Sequence, residues 1–282
     1  MEHFPISVTL LANAGVCIGY RGMTLLLDGI FGREGNPFSP LPADCRQKMC
    51  RGEPPFEKLD CLLFTHFHPD HFSPEMTMQI VGSRPVRALF FPEDEAEPVQ
   101  ELAYFLRRRD IPFVQLSHTT DHTVWRLGEH IRLQAFRTQH LGQEFYEVPH
   151  VCYRISFDGR EVLFTADTDY LHETLAQISG TALEAAFVNP LFFQALFDKR
   201  LFHGALEAKC ICVYHIPFRE DDRMHMRESV RRRLTAPGAE HLRVLPLSEP
   251  YLKSGRRNFS LAIVLGLKMQ DKWEISSWRL NR

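Results

Sequence analysis

The chain holds 282 residues, 44% hydrophobic and 24% charged, a balance that suits one large or two ordinary folded domains in water. Lys+Arg 33 against Asp+Glu 35 leaves a formal net charge of -2, which speaks against the overall basic footprint of a nucleic-acid binder. No apolar run is long enough to span a bilayer, and MEHFPISVTLLANAG has no cationic lead. The seven cysteines are scattered without CxxC spacing, so a cytoplasmic protein is expected, with no membrane segment, disulfide framework or zinc ribbon.

In chain order, residues 6–12, 15–20 and 23–28 are short apolar runs broken by Asn13-Ala14-Gly15 and Arg21-Gly22, which predicts a meander of strands. Residues 32–57 carry Gly, Pro and charge with little periodicity, predicting a loop insertion and candidate lid. From Leu59 the grammar becomes α/β: strand DCLLFTH, helix near 74–82, strand 86–91 and helix 95–109. Strands TVWRL, HIRLQAFRTQ, HVCYRISF and REVLFTAD follow, the last two joined by the hairpin signal Asp158-Gly159. The remainder reads as helix 171–179, strand 185–189, an aromatic-rich helical region 191–208, strand KCICVYH, helix 219–234, strand LRVLPL and a closing pair, SLAIVLGLKM and KWEISSWRL. Neither a repeat nor a linker divides the chain, so one domain over 1–282 is expected.

The stretch THFHPDHF packs His66, His68, Asp70 and His71 behind the apolar run CLLF. Histidines at i and i+2 after a strand point to one side and can reach one ion, while a turn at Pro69 can aim Asp70 and His71 at another. Other apolar runs end the same way, at His140, Asp167 and His215. In α/β proteins the carboxyl ends of strands gather on one edge, so these residues are expected to meet. Imidazoles and carboxylates in that number suit two borderline divalent ions. His150 competes with His140 for one place, but it begins a strand where His140 ends one.

The order HxHxDH, single His, strand-closing Asp and late His, preceded by Asp28 after an early strand, resembles the metallo-β-lactamase fold superfamily over roughly residues 6 to 250. Ala166, where Gly is common, and Leu141-Gly142, where Thr or Ser is common, are departures. The resemblance implies a four-layer αββα sandwich of two mixed β-sheets flanked by helices. It implies that His66, His68 and His140 hold one ion, that Asp70, His71 and His215 hold a second, and that Asp167 bridges them. The ions expected are two divalent cations, Zn2+ first, with Mn2+ or Fe as alternatives. Asp28 would support the ligand loop by hydrogen bonding, a strand-end turn being the competing reading.

The activity implied is hydrolysis of a small ester, lactone or phosphodiester by hydroxide held between the ions, with Asp70 returning a proton to the leaving group. A small cytosolic branch that includes ascorbate-6-phosphate lactonase and phosphodiesterase-like proteins is similar in its early strand and in VYHIPF. A ligand-binding or sensing protein without turnover and a nuclease of the same fold are the alternatives; iron redox chemistry ranks below hydrolysis. A small-molecule substrate is the expected partner. Tyr170 and His172 are candidate substrate contacts or a plain helix N-terminus, and the aromatic-rich stretch 192–202 with Glu144-Phe145-Tyr146 is a candidate apolar rim, an ordinary core helix face being the competing reading. His203 and Arg219 are loop residues that could meet a phosphate. Arg107-Arg108-Arg109 and Arg231-Arg232-Arg233 read as solvated helix faces.

Overall fold

A computed structural model describes residues 4–34, 36–178, 182–197, 206–235 and 244–246. The expected meander forms as β1 (Ser7–Leu10), β2 (Val16–Tyr20) and β3 (Met23–Leu27), paired antiparallel. The sheet then switches to parallel pairing with β4 (Cys61–Leu63), β5 (Ala88–Pro92) and β6 (Phe113–Leu116), giving six strands in sequential order. The second sheet has seven strands. Its antiparallel part is β7 (Val124–Arg126), β8 (Ile131–Thr138), β9 (His150–Phe157) and β10 (Arg160–Phe164); β11 (Ala185–Val188), β12 (Ile211–Val213) and β13 (Val244–Pro246) add in parallel.

Both sheets are mixed, and burial divides into three clusters that define four layers. Val8, Val16, Leu25, Leu133, Tyr153 and Phe187 belong to one core that draws on both sheets and fills the space between them. The opposite face of the first sheet packs on α1 (Ala43–Arg51), α2 (Pro74–Ser83) and α3 (Glu97–Arg108) through residues such as Met49, Ile80 and Leu102. The opposite face of the second meets α4 (His172–Ile178), α5 (Pro190–Ala195) and α6 (Met226–Leu234) through Ile178, Phe192 and Val230. The αββα sandwich is therefore present. Cys210 and Cys212 lie in the inter-sheet core, as small apolar residues would.

Local chemistry sets the helix starts. Ser73 accepts from the Met76 N–H at 3.3 Å with Pro74 following, and Asn189 accepts from the Leu191 and Phe192 N–H groups at 3.0 and 2.8 Å ahead of α5. Four elements differ from expectation. α5 ends at Ala195, short of the helical region expected over 191–208, and α6 begins at Met226, not at 219. Residues 32–57 contain α1, which stops at Gly52 in the left-handed conformation, φ 65°. β6 has one fully buried residue, Leu116, and so shows little of the apolar alternation that marks a strand. The closing strands SLAIVLGLKM and KWEISSWRL and the residue His203 lie outside the described residues.

Candidate metal centre

Strands β3, β4, β8, β10 and β12 all end on one edge of the sandwich, and Asp28, His66, His140, Asp167 and His215 follow those ends within one to three residues. Three of these turns use non-glycine residues in the left-handed region: Asp28 at φ 50°, Ala166 at 45° and His215 at 59°. Such backbone is costly and persists only where neighbours hold it. At Ala166 the holders are explicit: its N–H donates to the Tyr214 hydroxyl at 3.0 Å and its carbonyl accepts from Asn189 Nδ2 at 2.8 Å. That is how alanine replaces the glycine common in this turn.

Two ligand groups result. One donor atom each from His66, His68, His140 and Asp167 lie within 4.8 Å of one another, and the same holds for Asp70, His71, Asp167 and His215. Asp167 belongs to both, as a bridge would. Its Oδ2 is 3.9 Å from His66 Nε2, 3.8 Å from His140 Nε2 and 3.4 Å from His71 Nε2, while its Oδ1 is 3.4 Å from His215 Nε2. Asp70 Oδ2 lies 3.2 Å from His215 Nε2 and 3.7 Å from His71 Nε2.

Hydrogen bonding at the far nitrogen decides whether these imidazoles can bind a cation. The Thr65 hydroxyl gives its hydrogen to Asp28 Oδ2 at 2.6 Å, so toward His66 Nδ1, 3.0 Å away, it can only accept. His71 Nδ1–H donates to the same carboxylate at 3.0 Å, and His140 Nδ1–H to the Leu141 carbonyl at 2.6 Å. In the neutral form all three rings therefore keep a lone pair on Nε2. His66 Nε2 and His140 Nε2 are buried with no hydrogen-bond partner, as is His150 Nε2, and His71 Nε2 faces His215 Nε2 at 2.9 Å, where a proton on one ring or a shared cation must lie between the two nitrogens. A pair of borderline divalent metals fits this donor set of imidazoles and carboxylates.

The electrostatics divide accordingly. Burial and the neighbouring imidazoles push His66, His68 and His140 below the ordinary histidine value, keeping them neutral, as ligation requires. Burial also works against charge on His71 and His215. There Asp167 and Asp70 outweigh it, raising His71 and bringing His215 to about 9. Asp70 and Asp167 are held below the usual carboxylate value: burial pushes them up, and His71 and His215 more than offset it.

Asp28 is wholly buried and accepts from the Thr65 N–H at 2.8 Å as well as from the Thr65 hydroxyl and His71, which is the hydrogen-bonding support expected of it. His150 does not join either ligand group; its Nδ1 pairs with Thr138 Oγ1 at 2.7 Å, and its ring stands 5.1 Å from that of His66. Phe145 lies over the rings of His68 and His140 at 4.8 and 5.3 Å, walling the first group, and is 38% exposed beside the exposed Tyr146. Tyr170 packs half-buried against the helix-facing cluster of the second sheet. His172 opens α4, with its side chain outside the described part, and Arg219 is exposed after the His215 turn. Arg107 lies over Phe113 of β6, Arg109 over Phe105 of α3 and Arg233 over Phe197 beyond α5, so members of both triplets pack on neighbouring aromatic rings.

Sequence reading passed over two contributors. Asn13, in the β1–β2 turn, puts its amide 3.0 Å from His215 Nδ1. Segment 36–39 straps the two ligand loops together: Asn36 Nδ2 donates to the Pro69 carbonyl at 2.8 Å, the Phe38 ring meets His215 at 5.4 Å, and Ser39 Oγ accepts from the Phe218 N–H at 2.7 Å while donating to Asp221. Nothing in the composition of these residues distinguishes them from ordinary turn residues.

A family model described as the beta-lactamase superfamily domain matches residues 25–210. A search of curated proteins returned no match. Among solved structures the chain is similar to the metallo-beta-lactamase fold protein YhfI from Bacillus subtilis, with 17% identity, TM-score 0.57, and 88% of this chain and 98% of that one covered. It is similar also to Igni18, a metallo hydrolase from Ignicoccus hospitalis KIN4/I, at 16% identity and TM-score 0.55 over 87% and 96% of the two chains. A third similarity is to CmlA, a diiron beta-hydroxylase from Streptomyces venezuelae, at 17% identity and TM-score 0.53 over 88% of this chain and 53% of that one.

Proposed function

The chain belongs to the metallo-β-lactamase superfamily, and from that premise we propose that it is a dinuclear metal-dependent hydrolase of a small ester, lactone or phosphodiester. The observation that carries this reading is the pair of four-residue ligand groups sharing Asp167, with three imidazoles locked in the metal-accepting tautomer. His66, His68 and His140 would hold one ion, Asp70, His71 and His215 the other, and Asp167 both. When bound, two such ions supply Lewis acidity toward a carbonyl or phosphoryl oxygen and draw a nucleophile from water near neutral pH.

The chain's own groups do the rest. Asp28 and Thr65 fix the ring planes of His66 and His71, so that little reorganises during turnover. Asp70 turns Oδ2 toward His71 and His215; its other carboxylate oxygen takes up a proton and returns it to the leaving group. Phe145 offers an apolar face beside the first group for the substrate body. No helix among the described residues is long and apolar enough to cross a membrane.

Purified chain should contain about two ions, and paired His66→Ala and His68→Ala substitutions should remove metal and turnover together. Zinc-, manganese- and iron-loaded protein should be screened on lactones, thioesters and phosphodiesters. Metal-replete protein inactive on every class would defeat the hydrolase reading in favour of ligand binding without turnover. The likeness to a diiron hydroxylase makes iron-loaded protein with a reductant and dioxygen the one redox control worth running.

A further inference from the structure

His215 is the ligand whose tautomer is not dictated by an obligate acceptor. Its Nδ1 faces the amide of Asn13 at 3.0 Å, and an amide can present either its oxygen or its NH2. The two ends are alike in size, so chemistry has to choose between them. With NH2 toward the ring, Nδ1 accepts, and Nε2 must carry the hydrogen and cannot ligate. With the oxygen toward the ring, Nδ1–H donates and Nε2 presents a lone pair, as in His66, His71 and His140. The Asn13 oxygen, placed away from the ring, is buried without a partner, so no second bond pins the amide that way round.

Asn13 is wholly buried and rigidly placed. Its N–H donates to the Ser39 carbonyl at 2.9 Å, and its turn closes through Leu11 N–H to Gly15 carbonyl at 2.9 Å. The turn can sit this close to the centre because Gly15 and Gly29 touch backbone to backbone: a Cβ on Gly29 would lie 2.3 Å from Gly15 Cα. His215 itself occupies left-handed backbone at φ 59°, on a turn that needs an outside hold.

We propose that Asn13 is the positioning residue of the second ion: its amide oxygen accepts from His215 Nδ1–H, sets the tautomer that leaves Nε2 open, and so determines how tightly the Asp70, His71, Asp167 and His215 group holds metal. This rests on the dinuclear reading above and adds to it a residue from the other sheet's first turn.

The test is zinc titration of the full chain against a competing chelator, in wild type, Asn13→Ala and Asn13→Asp. Asn13→Ala should weaken the second zinc by roughly 10–100-fold and leave the first unchanged. Asn13→Asp keeps an acceptor and should retain the second zinc. Wild-type affinity for both ions in Asn13→Ala overturns the proposal, as does an Asn13→Asp chain that falls with Asn13→Ala. Should Asn13→Ala not fold, nitrogen-15 histidine spectra of zinc-loaded wild type decide directly: a His215 ring with hydrogen on Nδ1 and none on Nε2 supports the assignment, and one with hydrogen on Nε2, alone or with Nδ1, overturns it. A wild-type chain that binds two zinc ions and turns nothing over defeats the hydrolase reading while leaving the role of Asn13 intact.

Discussion

Asp28→Asn perturbs the centre with the least change of shape. The carboxylate is wholly buried and accepts three hydrogen bonds, from Thr65 N–H at 2.8 Å, Thr65 Oγ1 at 2.6 Å and His71 Nδ1 at 3.0 Å. Asparagine tolerates the left-handed backbone at φ 50°, so strain changes little. Its single acceptor oxygen satisfies the donors on one side, and its NH2 confronts the rest. A hydrogen bond to a charged group contributes about 1.5–3 kcal/mol, so the loss should be of that size. At roughly 2–4 °C per kcal/mol for a chain this long, the melting temperature should fall by about 3–12 °C. If the NH2 meets His71, that ring is driven to the tautomer with hydrogen on Nε2, and zinc affinity at the second group should drop by roughly 10–100-fold. Thermal melts with and without zinc, with a chelator competition, measure both. A melting point within about a degree of wild type and unchanged zinc affinity would refute the argument. So would an Asp28→Gly chain more stable than wild type, since backbone relief would then outweigh three lost acceptors.

Gly29→Ala should destabilise by more than about 2 kcal/mol in urea unfolding, because its φ is 79° and its new Cβ would strike the Gly15 backbone; a cost under about 0.5 kcal/mol would contradict the close approach. Phe145→Ala should raise KM several-fold while leaving kcat and metal content near wild type, since the ring walls the site in ground and transition states alike; a fall in kcat at constant KM would assign it another role. The Arg33 guanidinium holds the Asp221 carboxyl below its usual value, with burial opposing and Ser39 assisting. A depressed carboxylate stabilises the fold above its unfolded pKa of about 3.9 and loses that contribution as pH falls through the folded value. The melting-temperature gap between wild type and Asp221→Asn should therefore be largest near neutral pH and shrink toward pH 3; a gap that stays constant or widens there would contradict the ion pair. Chelation of the metal-loaded chain should lower its melting temperature, by the equivalent of about 4 kcal/mol where free metal stood at a thousand times Kd; an unchanged melt would mean that no ion was held in the folded state.

The residues of the two candidate ligand groups were legible because each is a strongly marked residue type at the end of a strongly marked apolar run. THFHPDHF, FRTQH, FTAD and VYH all announce a strand and then a ligand, and parallel pairing brings such ends together. The supports were not legible, because their role comes from geometry that composition does not encode. Asn13 and Ser39 are ordinary turn residues by type. They reach the centre only through a glycine contact between residues 15 and 29 and a strap that crosses both ligand loops. The same limit hid α1: its buried face is just Cys45 and Met49, too thin a stripe to stand out among the prolines of 32–57.

His150 sharpens what the strand-end rule means. It begins β9, but β9 runs antiparallel to β8, and the register sets His150 opposite Thr138, two residues before His140. The relevant property is the edge of the sheet, which collects the ends of strands running one way and the beginnings of those running the other. His150 therefore arrives beside His66 without belonging to either ligand group. His140 and His150 also differ in the next bond out. His140 anchors Nδ1–H on a carbonyl that can only accept, which frees Nε2; His150 meets the Thr138 hydroxyl, which can donate or accept and dictates neither tautomer. Each ligand group also draws donors from both sheets, His66 to His71 from the first and His140, Asp167 and His215 from the second. Metal binding thus acts across the same inter-sheet core that Tyr153 spans when its hydroxyl donates to the Phe64 carbonyl at 2.8 Å, two residues before His66. The packing of the sandwich and the spacing of the two candidate ligand groups are for that reason one variable.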